Sequence, residues 1–168
     1  MRMLATALAV AAAALITAVP AAGVKAPAPK KLLWATVNVC AADGGPNTFG
    51  IRASMPGNGT SQRMYMRFSA QYRNAAGRFV ETGSSTRWIK VGTARARSVQ
   101  SGYDFVFAPP PAGTTFVFRG TVAYRWTAKK GKRRRIVRTA KRVTRADIEG
   151  VEGGVPAGAS AATCAIGR

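Results

Sequence analysis

The feature that most constrains this chain is an alternation of period two. In "TFVFRGTVAYRW", residues 115–126, Phe116, Phe118, Gly120, Val122, Tyr124 and Trp126 take one side. Val117, Arg119, Thr121, Ala123 and Arg125 take the other. "MYMRFSAQYR", residues 64–73, sets Met64, Met66, Phe68, Ala70 and Tyr72 against Tyr65, Arg67, Ser69, Gln71 and Arg73. Successive side chains of a strand point to opposite faces, so an apolar face backed by a mixed one predicts a half-buried β-strand.

"YDFVFAP", residues 103–109, puts Tyr103, Phe105 and Phe107 together, and shorter candidates lie at 33–41, 49–55, 87–91, 134–143 and 159–166. Turn residues fill the gaps: "DGGPN" at 43–47, "PGNGTS" at 56–61 and "PPPAG" at 109–113. Many short strands with such punctuation, and no amphipathic helix, predict an all-β domain, an antiparallel sandwich or barrel. The segment "TRADIEGVEGG", residues 144–154, has room for one helical turn.

Two phrases echo each other. "QYRNAAGRF" at 71–79 and "AYRWTAKKGKRR" at 123–134 each run from Tyr-Arg to a Gly followed by a basic residue. Both read as long strands ending in hairpins, with Gly77 and Gly131 supplying positive φ at the turn. Either they are paired central strands of one sheet, or turn chemistry alone produces the likeness.

The first residues, "MRMLATALAVAAAALITAVPAAG", place Arg2 before an uncharged run from Met3 to Val19 and small residues at Ala21 and Ala22. That is the pattern of a secretory signal peptide spanning 1–22. The alternative, a retained anchor, suffers from a run shorter than the roughly 20 apolar residues of a spanning helix. Residues 23–31, "GVKAPAPKK", read as a Pro/Lys-rich extended spacer, and the β-sandwich domain occupies 32–168. The expected product is secreted or cell-surface associated, with no stable membrane span once the leader is removed.

An exported chain matures where thiols oxidise, so its two cysteines, Cys40 and Cys164, are expected to form a disulfide. The bond would bring the first and last strands side by side. The alternative is two separate buried thiols. The chain has no His, which removes Ser-His-Asp and Cys-His catalysis and the commonest zinc ligand. Its six acids are Asp43, Glu81, Asp104, Asp147, Glu149 and Glu152. "RADIEGVEGG" at 145–154 lacks the Asp/Asn ladder of a calcium loop. No enzyme, cofactor or metal is expected.

The strand–turn phrases "FSAQYRNAAGRF" and "VAYRWTAKKGK", within residues 33–166, resemble the immunoglobulin-like and fibronectin-III-like β-sandwich domains of exported bacterial proteins. The resemblance implies a single antiparallel β-sandwich of immunoglobulin-like kind, and binding or scaffolding rather than catalysis. A true immunoglobulin domain ties its two central facing strands by a disulfide packed against a Trp. Here the cysteines stand in the first and last candidate strands.

Formal net charge is +20, and residues 119–145 contain twelve Lys or Arg with no acid. Such a field attracts polyanions without sequence selectivity. The candidate polyanion-binding residues are Arg119, Arg125, Lys129, Lys130, Lys132, Arg133, Arg134, Arg135 and Arg138. As a strand, 134–143 would carry Arg134, Ile136, Arg138, Ala140 and Arg142 on one face. Arg133, Arg135, Val137, Thr139, Lys141 and Val143 would share the other. Cations on both faces suit an edge strand guarded against unwanted pairing.

Tyr65, Trp88, Tyr124 and Trp126 are candidate stacking faces beside the cations, although Tyr124 and Trp126 also fit the core face. No helix-turn-helix, zinc-finger or RNP motif is present. Besides an enzyme with an unfamiliar site, the least favoured reading, two functions stay open. One is an exported, non-enzymatic binding or adhesion module whose basic hairpin contacts an anionic cell-envelope polymer or, non-specifically, extracellular nucleic acid. The other is a purely structural secreted domain with a solvated basic surface. Oligomeric state is open.

Overall fold

The computed structural model describes residues 32–41 and 47–168. The expected leader and spacer, residue 43 and most of the turn 43–47 lie outside the described residues. Nine strands follow in order: β1 (Trp34–Ala41), β2 (Asn47–Pro56), β3 (Arg63–Arg73), β4 (Phe79–Ser85), β5 (Ile89–Thr93), β6 (Ser98–Phe107), β7 (Thr115–Lys130), β8 (Arg133–Val143) and β9 (Cys164–Gly167). They make an antiparallel three-stranded sheet, β1-β2-β6, and a six-stranded sheet whose main path is β4-β3-β7-β8. The second sheet shares edges: β5 joins β4 along β3, and β9 pairs with the start of β7. The two echoing strands, β3 and β7, are central neighbours, paired from Arg63↔Thr127 to Tyr72↔Phe118.

The alternation sets the layers. Met64, Met66, Phe68 and Ala70 of β3 and Phe118, Val122, Tyr124 and Trp126 of β7 are buried against Phe49, Ile51, Ala53 and Met55 of β2. Buried aromatic rings need partners for their polar tips. The Tyr124 hydroxyl donates to the Trp34 carbonyl at 2.7 Å, and Trp126 Nε1 donates to the Pro56 carbonyl at 3.1 Å. Gly120 lets the sheets approach: a Cβ there would stand 2.5 Å from Ile51 Cδ1 and 2.8 Å from Thr144 Cγ2.

Cys40 and Cys164 form a disulfide, with Cα atoms 5.5 Å apart, joining the first and last strands. These strands are not ladder neighbours, because β1 belongs to one sheet and β9 to the other, so the bond staples the two sheets. The outer edge of β1 is met instead by the C-terminal segment, through bridges Val37↔Ala161 and Val39↔Val155.

Three expectations need correction. Residues 144–154 form no helical turn: Asp147, Gly150 and Gly153 take φ of 60°, 67° and 64°, which a right-handed helix excludes. Ile148 and Val151 from this loop instead pack beside Trp34 in a small second cluster. The last candidate strand shortens to Cys164–Gly167, and β4 was not among the expected strands. The faces of β8 also change partway. The ladder with β7 skips Val137, so Ile136 stands opposite Thr127 whereas Arg138 stands opposite Trp126. This bulge transfers Arg138, Ala140 and Arg142 to the core side while Arg134 and Ile136 stay outside. No helix among the described residues is long and apolar enough to cross a membrane.

Candidate polyanion-binding surface

The register across β3, β7 and β8 fixes which cations share a surface. On the solvent face of the larger sheet, Tyr65, Arg125 and Thr139 form one row. Arg67, Ala123 and Lys141 form the next, then Ser69, Thr121 and Val143. Gln71 and Arg119 stand opposite each other one row further on. The outward alternation of β3 and β7 therefore collects Arg67, Arg119, Arg125 and Lys141 around a floor of small side chains.

The two arginines of β7 are held by neighbours. Arg125 places its guanidinium 4.1 Å from the Trp88 ring centroid and 5.5 Å from that of Tyr65. Its Nε is buried and lacks a hydrogen-bond partner among the described residues. Arg119 lies 4.1 Å over the Phe79 ring, and its Nε donates to Gln71 Oε1 at 2.7 Å. Gln71 in turn donates through Nε2 to Glu81 Oε1 at 2.8 Å. Cation–aromatic contact restricts a guanidinium while leaving its charge uncompensated.

A depression of about 370 Å³ opens between these arginines, walled by Arg67, Lys141 and Glu81 over Ser69, Thr121 and Ala123. Its far wall depends on β4. The β3–β4 ladder is irregular between Ser69 and Gln71, and Gly83 takes φ of 83° there, a value that "ETGSS" supplies cheaply through its glycine.

Beyond Thr127 the sheet loses β3, and the β7–β8 hairpin continues alone through Ala128↔Arg135, Lys129↔Arg134 and Lys130↔Arg133. Gly131 turns it with φ of 62°, and Lys132 follows without positive φ, as in a type II′ turn. Lys129, Lys130, Lys132, Arg133, Arg134 and Arg135 are exposed around this tip. Arg134 Nη1 donates to the Thr127 carbonyl at 3.4 Å. Among the described residues the one salt bridge is Arg52–Glu152 at 2.7 Å, away from this hairpin.

The structure thus divides the nine candidate cations. Arg119 and Arg125 belong to the solvent face of the sheet, six residues belong to the hairpin tip, and Arg138 lies on the core side, 4.5 Å over Trp126. Tyr124 and Trp126 are core residues, whereas Tyr65 and Trp88 stack on the chain's own Arg125. Arg67 stands outside the nine sequence candidates, yet its outward position is readable in the 64–73 alternation. Lys141 joins it only through the bulged register of β8. Compared with known proteins, the chain matches no family model, no curated protein and no solved structure.

Proposed function

We propose that this protein is an exported, non-enzymatic binding or adhesion module of the cell envelope that engages anionic polymers through the β7–β8 hairpin and the adjoining sheet face. The observation that carries this reading is the uncompensated charge of the hairpin, whose six exposed cations have no acidic partner among the described residues. Clustered fixed charge raises the local concentration of polyanions and speeds their encounter. The arginines of the sheet face add contacts already oriented before a ligand arrives, which lowers the ordering cost of binding.

The immunoglobulin-like resemblance agrees with a binding role, although a sandwich by itself does not determine function. Replacing Arg133, Arg134 and Arg135 together by Gln tests the reading. Affinity for an anionic polymer should fall at least tenfold while a neutral glycan stays unbound. Unchanged affinity would refute the hairpin's role. A second reading is favoured by the cations on both faces of β8: they guard an open sheet edge, and the domain is structural. That reading predicts no saturable binding to any polyanion.

A further inference from the structure

We infer that the depression on the solvent face of the larger sheet is a selective subsite for a hydroxylated anionic repeat, a sugar or polyol bearing a phosphate or carboxylate. The inference rests on the polyanion-binding reading and adds a ligand class that the hairpin cannot select. A hairpin tip of exposed Lys and Arg side chains attracts any negative charge. The depression has a defined floor and two chemically different sides.

Its cationic centre follows from register. Arg67 and Lys141 both stand opposite Ala123, one strand to each side. Neighbouring strands are about 4.8 Å apart, so the two backbones flank a gap of roughly 10 Å. Only the Ala123 methyl occupies its middle, leaving an anionic group room between two cations. Arg125 and Arg119 stand at the ends of the same β7 segment, already turned aside by Trp88 and by Phe79 and Gln71.

The opposite side is built for hydroxyls. Ser69 and Thr121 lie side by side in the floor, and Glu81 lines the β4 wall. Gln71 occupies one Glu81 oxygen, so the other remains an acceptor for a ligand O–H. A carboxylate there repels a chain carrying charge at every position and accepts from one with hydroxyls between its charges. Glu81 therefore makes the subsite discriminate: it disfavours inorganic polyphosphate and favours a polyol phosphate or an acidic sugar. The volume of about 370 Å³ is at the small end for ligand clefts, the scale of one repeat rather than a long segment.

The test follows backbone amide shifts of the ¹⁵N-labelled protein during titration with poly(glycerol phosphate), oligogalacturonate and inorganic polyphosphate of matched charge. The two hydroxylated probes separate a phosphate from a carboxylate as the preferred anion. Saturable shifts at Ser69, Thr121, Ala123 and Gly83 are expected with at least one hydroxylated probe, at least fivefold tighter than with polyphosphate. The double variant Arg67→Gln/Lys141→Gln should weaken that binding tenfold or more. Glu81→Gln should erase the preference over polyphosphate; both sets of side chains are exposed, so the fold should survive. Shifts confined to residues 129–135, or equal affinity for polyphosphate, would overturn the subsite and leave the broader reading standing. Absence of saturable binding to all three probes would overturn both.

Discussion

The guanidinium of Arg125 on β7 lies 4.1 Å from the Trp88 ring centroid, although β3 separates β7 from β5, the strand Trp88 precedes. Trp88 comes from the short connection between β4 and β5, just before Ile89 turns into the core margin. A loop residue thus reaches across the sheet to orient a cation on its central strand.

Trp88→Ala should free the Arg125 side chain without disturbing the core. Cation–π contact of this half-buried kind is worth about 1 kcal/mol, so anionic-polymer affinity should drop roughly two- to fivefold. Titration of the variant at low salt checks this, well below a melting point lowered by no more than a few degrees. Equal affinity would mean that Arg125 needs no orienting.

The Cys40–Cys164 bond closes a 124-residue separation and staples the two sheets. Constraining so long a loop should contribute about 2–5 kcal/mol. Chemical denaturation of Cys40→Ser/Cys164→Ser against the oxidised protein should show an unfolding free energy lower by that amount, with the midpoint shifted down accordingly. A midpoint within error of the oxidised form would show that sheet packing alone holds β1 and β9 together.

Gly120→Ala should destabilise the fold by about 1–3 kcal/mol, the usual range for overpacking a filled core. The added Cβ would meet Ile51 and Thr144, both fixed by their own packing. Thr144 is further tied because its hydroxyl accepts from Gly120 N at 3.0 Å and donates to the Ala162 carbonyl at 2.6 Å. Thermal melting distinguishes this from Gly77→Ala, where no atom lies within 4 Å and only the positive φ opposes the change.

Burial pushes the Tyr124 phenol far above the usual tyrosine range, with the Arg142 charge acting in the opposite direction. Below the unfolded value of about 10, both states keep the proton and the contribution is fully present. Above it the unfolded chain ionises while the native one does not, so stability falls with rising pH by up to about 1.4 kcal/mol per unit. Tyr124→Phe should lose about 1 kcal/mol near neutrality, through its bond to the Trp34 carbonyl, and flatten the alkaline decline. Denaturation at pH 8 and pH 11 measures both effects; parallel declines in the two proteins would contradict the assignment.

Much of this architecture is legible in the chain. The alternations of 64–73 and 115–126 name both the strands and their core faces, because one side of each strand is continuously apolar. β4 is hidden since "FVETGSS" presents Thr82 and Ser84 to the inner side and breaks at Gly83, leaving no apolar period. The bulge at Val137 is hidden because Ile136 and Val137 are both apolar and both exposed, at 54% and 51%, so neither marks a face. The candidate surface is legible in the sequence only as charge. Pairing Arg67 with Lys141 across Ala123 requires knowing that β7 separates β3 from β8, and local pattern does not encode strand order.

If the fixed positive charge binds a polyanion at a defined surface, affinity must fall with salt. The most direct measurement is the slope of log affinity against log salt for poly(glycerol phosphate), in the wild-type protein and in Arg133→Gln/Arg134→Gln/Arg135→Gln. Each neutralised phosphate on a single chain contributes a slope of roughly −0.7. A steep negative slope is expected in the wild type and one shallower by about two in the variant. No saturable binding at low salt, or the same slope in both proteins, would contradict it.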